Sequence, residues 1–178
     1  MSDNFQQCFD LVLKTEGGFQ DDPHDKGNRL PDGRPGSTNM GVTQATWEAW
    51  VGHQVTHDDM KALTPADIAP LYEKNFWASC RCSELPEGLD YALYDLAVNS
   101  GVGRAIRFLQ MVLGIRADGV MGAETMRAVY SSDDRDLIRK LCDYRLTFLQ
   151  GLPDWNRYGT TWGNRVASVE KTAISMTG

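Results

Sequence analysis

Leu89-Asp90-Tyr91-Ala92-Leu93-Tyr94-Asp95-Leu96-Ala97-Val98-Asn99-Ser100-Gly101 follows Pro86 and decides the fold class. Leu89, Ala92, Leu93, Leu96 and Ala97 recur at helical spacing along one face, and Gly101 ends the pattern. The same period continues on both sides. Upstream, Phe5, Cys8, Phe9, Val12 and Leu13 predict a first helix, with Ser2 or Asp3 as its cap and Gly17 as its stop. Thr43 can cap a short helix carrying Trp47 and Trp50. Thr64-Pro65-Ala66-Asp67 opens another through Trp77, in which Pro70 predicts a kink or a late start. Downstream, Ile106, Leu109, Val112 and Leu113 mark a helix over about 103–113, with Gly114 past its end. Met126 and Val129 mark a short one. Leu137, Ile138, Leu141, Phe148 and Leu149 mark a long one capped by Asp133 or Asp134. A last helix is expected to start near Thr161 and to carry Trp162, Val166 and Val169.

Residues 19–42 break this rhythm. They collect Asp, Gly, Pro and Asn with little periodicity, which predicts a long loop or small hairpin wing with Asp32-Gly33 as a turn. Loops of this length are usually functional. The expected class is α+β, predominantly α-helical, with a small β or loop wing near residues 19–42. Nothing resembling a linker or repeat divides the 178 residues, so one domain is expected over 1–178.

Composition narrows the function. The chain is 42% hydrophobic and 24% charged, with a formal net charge of −6. That balance argues against nucleic acid as a partner, which would call for a basic patch. No apolar run approaches the ~18 residues of a membrane span, so no stable membrane insertion is expected. Met1 to Gln7 lack the charged and apolar regions of a secretory leader, which points to synthesis in the cytoplasm without a Sec signal peptide. Cys8, Cys80, Cys82 and Cys142 lack the companions of a zinc site and are expected to be reduced structural thiols. Neither a metal nor a cofactor is expected.

Chemistry concentrates at Glu16, Asp25 and Thr38. Glu16 falls at the end of the first predicted helix, at the edge of its apolar stripe. Partial desolvation and the negative end of the helix dipole both disfavour a carboxylate there, as a general acid requires. Asp25 sits among Asp21, Asp22, His24 and Lys26. Such a solvated carboxylate suits a general base holding a water against a sugar, and the Thr38 hydroxyl could orient that water. Asp25 also reads as a turn residue before Gly27, and Asp21 and Asp22 are local rivals. Asn99 could face a cleft and bind an acetamido group, or cap its own helix. Trp162 and Tyr158 are candidates for stacking on a sugar ring, although an aromatic at helical spacing also suits a core.

Glu16-Gly17-Gly18-Phe19, Asp22-Pro23-His24-Asp25-Lys26-Gly27 and Thr38-Asn39-Met40-Gly41-Val42-Thr43 together resemble the N-terminal signature of the glycoside hydrolase family 108 N-acetylmuramidases. That group includes phage endolysins and bacterial proteins once labelled secretion activators. The likeness continues through Ala92 to Gly101, Leu109-Gln110, Leu113-Gly114, Asp118 to Gly122 and Trp162-Gly163-Asn164-Arg165-Val166. It implies a lysozyme-like fold that cleaves the β-1,4 bond between N-acetylmuramic acid and N-acetylglucosamine. Residues 1–90 would form a catalytic N-terminal lobe. Residues 91–178 would form a helical lobe resembling a peptidoglycan-binding region, to which Asp118-Gly119 belongs unless it is only a tight interhelical turn.

The family's catalytic glutamate maps onto Glu16 and its Glu-x8-Asp spacing onto Asp25. Thr38 follows extra residues, Asn28 through Gly36, where the family has a short turn. Phe19 replaces a usual tyrosine among the substrate contacts. Peptidoglycan glycan strands are the implied partner and a monomer the expected state. A holin or another route would give an endolysin access to the wall or periplasm. A lytic transglycosylase would need the glutamate alone. A murein-binding scaffold, or a chromosomal enzyme assisting secretion, is a further alternative.

Overall fold

The computed structural model describes residues 4–178, which form nine α-helices and one two-stranded sheet. Helix α1 spans Phe5–Leu13, β1 Thr38–Asn39 and β2 Val42–Thr43. These are followed by α2 (Gln44–Val51), α3 (His57–Ala62), α4 (Pro65–Tyr72), α5 (Leu89–Ser100) and α6 (Val102–Val112). The chain closes with α7 (Ala123–Tyr130), α8 (Asp134–Gln150) and α9 (Trp155–Met176). This is the expected helix-dominated α+β class, lysozyme-like, with its small β element at 38–43, at the end of the expected wing. Ser2 and Asp3, the expected caps of α1, lie outside the described residues.

The chain divides into two compact units. One comprises residues 9–73, the other residues 4–8 with 74–178. In the first, Thr43 caps α2 by accepting the Thr46 N–H, and Thr56 with Asp59 forms a capping box on α3. Helix α3 has only six residues and one buried apolar side chain, Met60, so periodicity alone does not reveal it. Thr64 and Pro65 open α4 as expected. Pro70 lies inside α4, which starts at Pro65 and not late; α-geometry stops at Tyr72, and Glu73–Ala78 continues as a π-turn. Pro70 has no N–H to offer the Ala66 carbonyl, so α4 carries one backbone bond fewer at that turn.

In the second unit, α5 is buried along its whole first part, Leu89 to Ala97, rather than on one face. Tyr94 packs edge-on against Trp77, and Phe5 against both, with ring centroids 5.3–6.1 Å apart. The sequence pattern marks only the aliphatic stripe, because tyrosine and aspartate ordinarily face water. Here the aspartates are satisfied. Asp90 accepts the N–H groups of Gly88 and Tyr91 at 2.8 and 2.6 Å and the Asn4 amide at 3.3 Å. Burial pushes its carboxyl up, and those donated bonds oppose the shift. Gly88 adopts φ +90, and a Cβ there would meet the Ala173 carbonyl of α9 at 2.2 Å, so the helices close onto bare backbone.

Asp95 ties three helices. Its carboxylate binds Arg145 of α8 at 2.6 Å and Arg165 of α9 at 2.9 Å, and all but Arg165 are buried. Gln110 of α6 does similar work on the 118–125 segment. Its amide donates to Asp118, the Val120 carbonyl and Thr125 and accepts the Gly119 N–H. Asp118-Gly119 is therefore an interhelical turn pinned by a buried side chain. Helix α9 begins at Trp155, six residues before its expected start at Thr161. Gly159 lies inside this helix, and a Cβ there would meet the Trp155 ring at 2.7 Å, so the ring packs on bare backbone.

All four cysteines are free and buried, and burial pushes the Cys142 thiol up to about 12. Thiol reagents should label none of them in the native protein and all four in denaturant, as mass spectrometry would count. Asp95→Asn should cost about 3–5 kcal/mol in urea unfolding, since it strands two guanidinium groups.

Candidate active site

Glu16, Asp25 and Thr38 all belong to the 9–73 unit, in the irregular chain between α1 and α2. Helix α1 ends at Leu13. Thr15 and Glu16 then donate their N–H groups to the carbonyls of Val12 and Leu13 in a tight turn. Glu16 therefore stands beyond the helix instead of closing it, and the dipole argument from sequence loses force, because that field fades within the last turn. Its half-burial remains.

A hairpin turn meets the Glu16 carboxylate. Strands β1 and β2 pair antiparallel, Thr38 with Thr43 and Asn39 with Val42, leaving Met40 and Gly41 as a two-residue connection. Both have positive φ, +48 and +76, as the primed hairpin turns demand. A Cβ on Gly41 would lie 2.9 Å from Glu16 Oε2 and 2.6 Å from the Tyr72 hydroxyl. The hydroxyl itself donates to the Met40 carbonyl at 2.9 Å. Tyr72, from α4, and Glu16 thus converge on the backbone of one glycine.

Asp25 and Thr38 are joined by side chains. Asp25 caps the short 3-10 turn Lys26–Asn28, with Oδ1 accepting the Gly27 N–H at 2.8 Å. Its Oδ2 accepts from Gln20 Nε2 at 2.8 Å. Gln20 Oε1 accepts from Asn28 Nδ2 at 2.5 Å, and Asn28 Oδ1 accepts the Thr38 hydroxyl proton at 2.8 Å. The run Asp25–Gln20–Asn28–Thr38 is continuous. Gln20 and Thr38 also exchange both backbone hydrogen bonds, each 2.8 Å.

The extra residues after Asn28 close on themselves. Leu30 N–H bonds the Arg34 carbonyl, and Gly33 N–H bonds that of Leu30 around the expected Asp32-Gly33 turn. Leu30 is buried beneath, and Arg34 is clamped between Asp32 and Glu48. Gly36 N–H then returns to the Asn28 carbonyl at 2.6 Å, so the insertion leaves and re-enters at nearly one point. This is how Thr38 reaches the Asp25 network despite the added length.

The rival acids are occupied differently. Asp22 accepts the His24 N–H at 2.9 Å and faces its ring nitrogen at 3.1 Å, contacts that hold its carboxyl below the usual range. Asp21 lies 3.9 Å from His57. Neither carboxylate enters the Gln20–Asn28 chain. Asp25 and Thr38 each retain free lone pairs, which suits holding a water.

Phe19 is half-buried, with the Lys61 ammonium 5.8 Å from its ring centroid. The remaining candidates belong to the other unit. Asn99 is exposed at the end of α5. Its Oδ1 accepts from Arg145 at 3.4 Å and from Ser100 at 3.3 Å. Tyr158, 39% exposed, and Trp162 pack with Trp155 along one face of α9. Sequence reasoning missed Gln20, Asn28, Gly41 and Tyr72. Asn28 beside Gly27 reads as a turn residue, and its partners six to ten positions away leave no local signal. Gly41 inside Asn39-Met40-Gly41 was the usable clue.

The family model described as Glycosyl hydrolase 108 matches residues 9–101, and one described as Predicted Peptidoglycan domain matches residues 104–166. The chain belongs to glycosyl hydrolase family 108. Among solved structures it is similar to SagA of Brucella abortus, 38% identical, with 98% of this chain and 95% of that chain covered and a TM-score of 0.83. No curated protein matches the sequence. This family 108 member is thus a muramidase-like glycoside hydrolase that acts on peptidoglycan.

Gly41→Ala and Gly33→Ala both place a side chain at positive φ, but only the first crowds Glu16. Each should cost about 1 kcal/mol or more in thermal unfolding. Hydrolysis of purified sacculi should fall at least ~10-fold in Gly41→Ala alone, as displacement of a reacting group by about 1 Å would produce.

Proposed function

We propose that this family 108 hydrolase is an N-acetylmuramidase that cuts the β-1,4 bond between N-acetylmuramic acid and N-acetylglucosamine with water. Glu16 protonates the leaving glycosidic oxygen. Asp25 takes a proton from the attacking water, and Thr38 orients that water. The observation that carries this reading is the continuous hydrogen-bond run from Asp25 through Gln20 and Asn28 to Thr38. A lytic transglycosylase closes its product with the sugar's own hydroxyl and needs no second carboxylate held in register with a hydroxyl. The carboxylates of a scaffold would need no such ordering.

Phe19, Asn99, Tyr158 and Trp162 are assigned to substrate contacts on their exposure and chemistry, Tyr158 and Trp162 through stacking on sugar rings. We place the protein as a monomeric endolysin released to the wall through a holin. No helix among the described residues is long and apolar enough to cross a membrane. Lysis of expressing cells only when a holin is co-expressed is the expected outcome.

Glu16→Gln should lower the release of reducing ends from sacculi by ~10²–10⁴-fold without shifting the melting temperature, as loss of a general acid does. Product analysis separates the readings. Free reducing N-acetylmuramic acid, first formed with inverted anomeric configuration by NMR, is expected. A 1,6-anhydro product would replace the hydrolytic assignment.

A further inference from the structure

A cavity of about 520 Å³ opens beside Asp25, lined by Pro23, His24, Asp25, Lys26 and Arg29. It is of the size that holds small ligands. Its charged walls differ in what they have left to offer. His24 is engaged with Asp22, and both Asp25 oxygens accept hydrogen bonds. Lys26 and Arg29 have no ion-pair partner among the described residues. Arg34 in the same unit shows the contrast, with both Asp32 and Glu48 on its guanidinium. In a chain of net charge −6, two unneutralised cations share the wall of one cavity. Their complement is an anion that the protein does not itself supply.

Peptidoglycan carries such anions at a fixed place. Each muramic acid bears its stem peptide through a lactyl ether at C3, two carbons from the anomeric centre. A water held by Asp25 attacks that centre, so the residues gripping the peptide of the same sugar must be near neighbours of Asp25. We propose that Lys26 and Arg29 bind the stem-peptide carboxylates of the muramic acid being cleaved, making peptide-substituted strands the preferred substrate. The inference rests on the muramidase reading above, since it takes the position of the sugar from Asp25.

Three preparations of soluble glycan strands test it: peptide-bearing strands, the same strands with peptide carboxylates amidated, and strands stripped by an amidase, which retain the lactyl carboxylate. Reducing-end release would be measured for the wild type and a Lys26→Gln/Arg29→Gln variant. The wild type should show its lowest KM on peptide-bearing strands. The variant should raise that KM roughly five- to tenfold, as two exposed charge contacts supply, with kcat unchanged. It should match the wild type on the other two. An equal KM rise on stripped strands would assign the cations to the lactyl group and overturn the proposal. An equal rise on amidated strands, or no change anywhere, would overturn it too. Should the double variant fail to fold by thermal melt, the wild-type ranking of the three substrates decides alone. Wild type that releases no reducing ends from any preparation would instead defeat the muramidase reading.

Discussion

Asn28 is 4% exposed in a segment with almost no apolar core, and the region between α1 and α2 depends on it. Its amide donates to Gln20 and to the Asp22 carbonyl, its side-chain oxygen accepts from Thr38, and its backbone carbonyl receives Gly36. One residue thus ties residues 20–22 and 36–38 to its own turn. A buried amide left with open valences costs about 1–3 kcal/mol, so the loop is specified by the need to satisfy it. Hydrophobic burial contributes little there beyond Leu30 and Val42. The arrangement is directional where an apolar core would be permissive, and it fixes the orientation of Asp25 and Thr38.

The helical unit applies the same logic with charge. Asp95 sits between Arg145 and Arg165, and Gln110 gathers four groups around the 118–125 segment. Buried ionic groups of this kind add little net stability over apolar replacements, but they penalise every alternative packing that would leave one unpaired. Helices α5, α8 and α9 bury apolar side chains on their inner faces, contacts that carry little direction of their own. The aspartate sets their register.

The helical fold was legible because Leu89 through Ala97, Phe5 through Leu13 and Leu137 through Leu149 obey a period that local chemistry imposes. What stayed hidden was decided by distant partners. The last helix starts six residues ahead of its expected place, and Asp90 and Asp95 are held in the core by donors from residues as far as 86 positions away. In the site, Glu16, Asp25 and Thr38 could be named from chemistry and resemblance. Gln20 and Asn28, which connect two of them, could not. Neither is reactive, and each matters only through the geometry it completes. Glu16 stands three residues past the end of α1, so the helix terminus expected at Glu16 lies at Leu13 instead.

The unit boundary has a consequence for how the chain comes together. Residues 4–8 belong with 74–178, and Asn4 and Phe5 find their partners at Asp90, Trp77 and Tyr94. A ribosome delivers those first residues long before the surfaces that will hold them. For residues 4–8 to meet residues 77–94, the 9–73 segment between them has to close as a loop. Closing a loop of that size carries an entropic cost that grows only slowly with length, so the penalty falls on the rate of assembly more than on its final stability. Asn4 and Phe5 thus join that core only through a long-range closure.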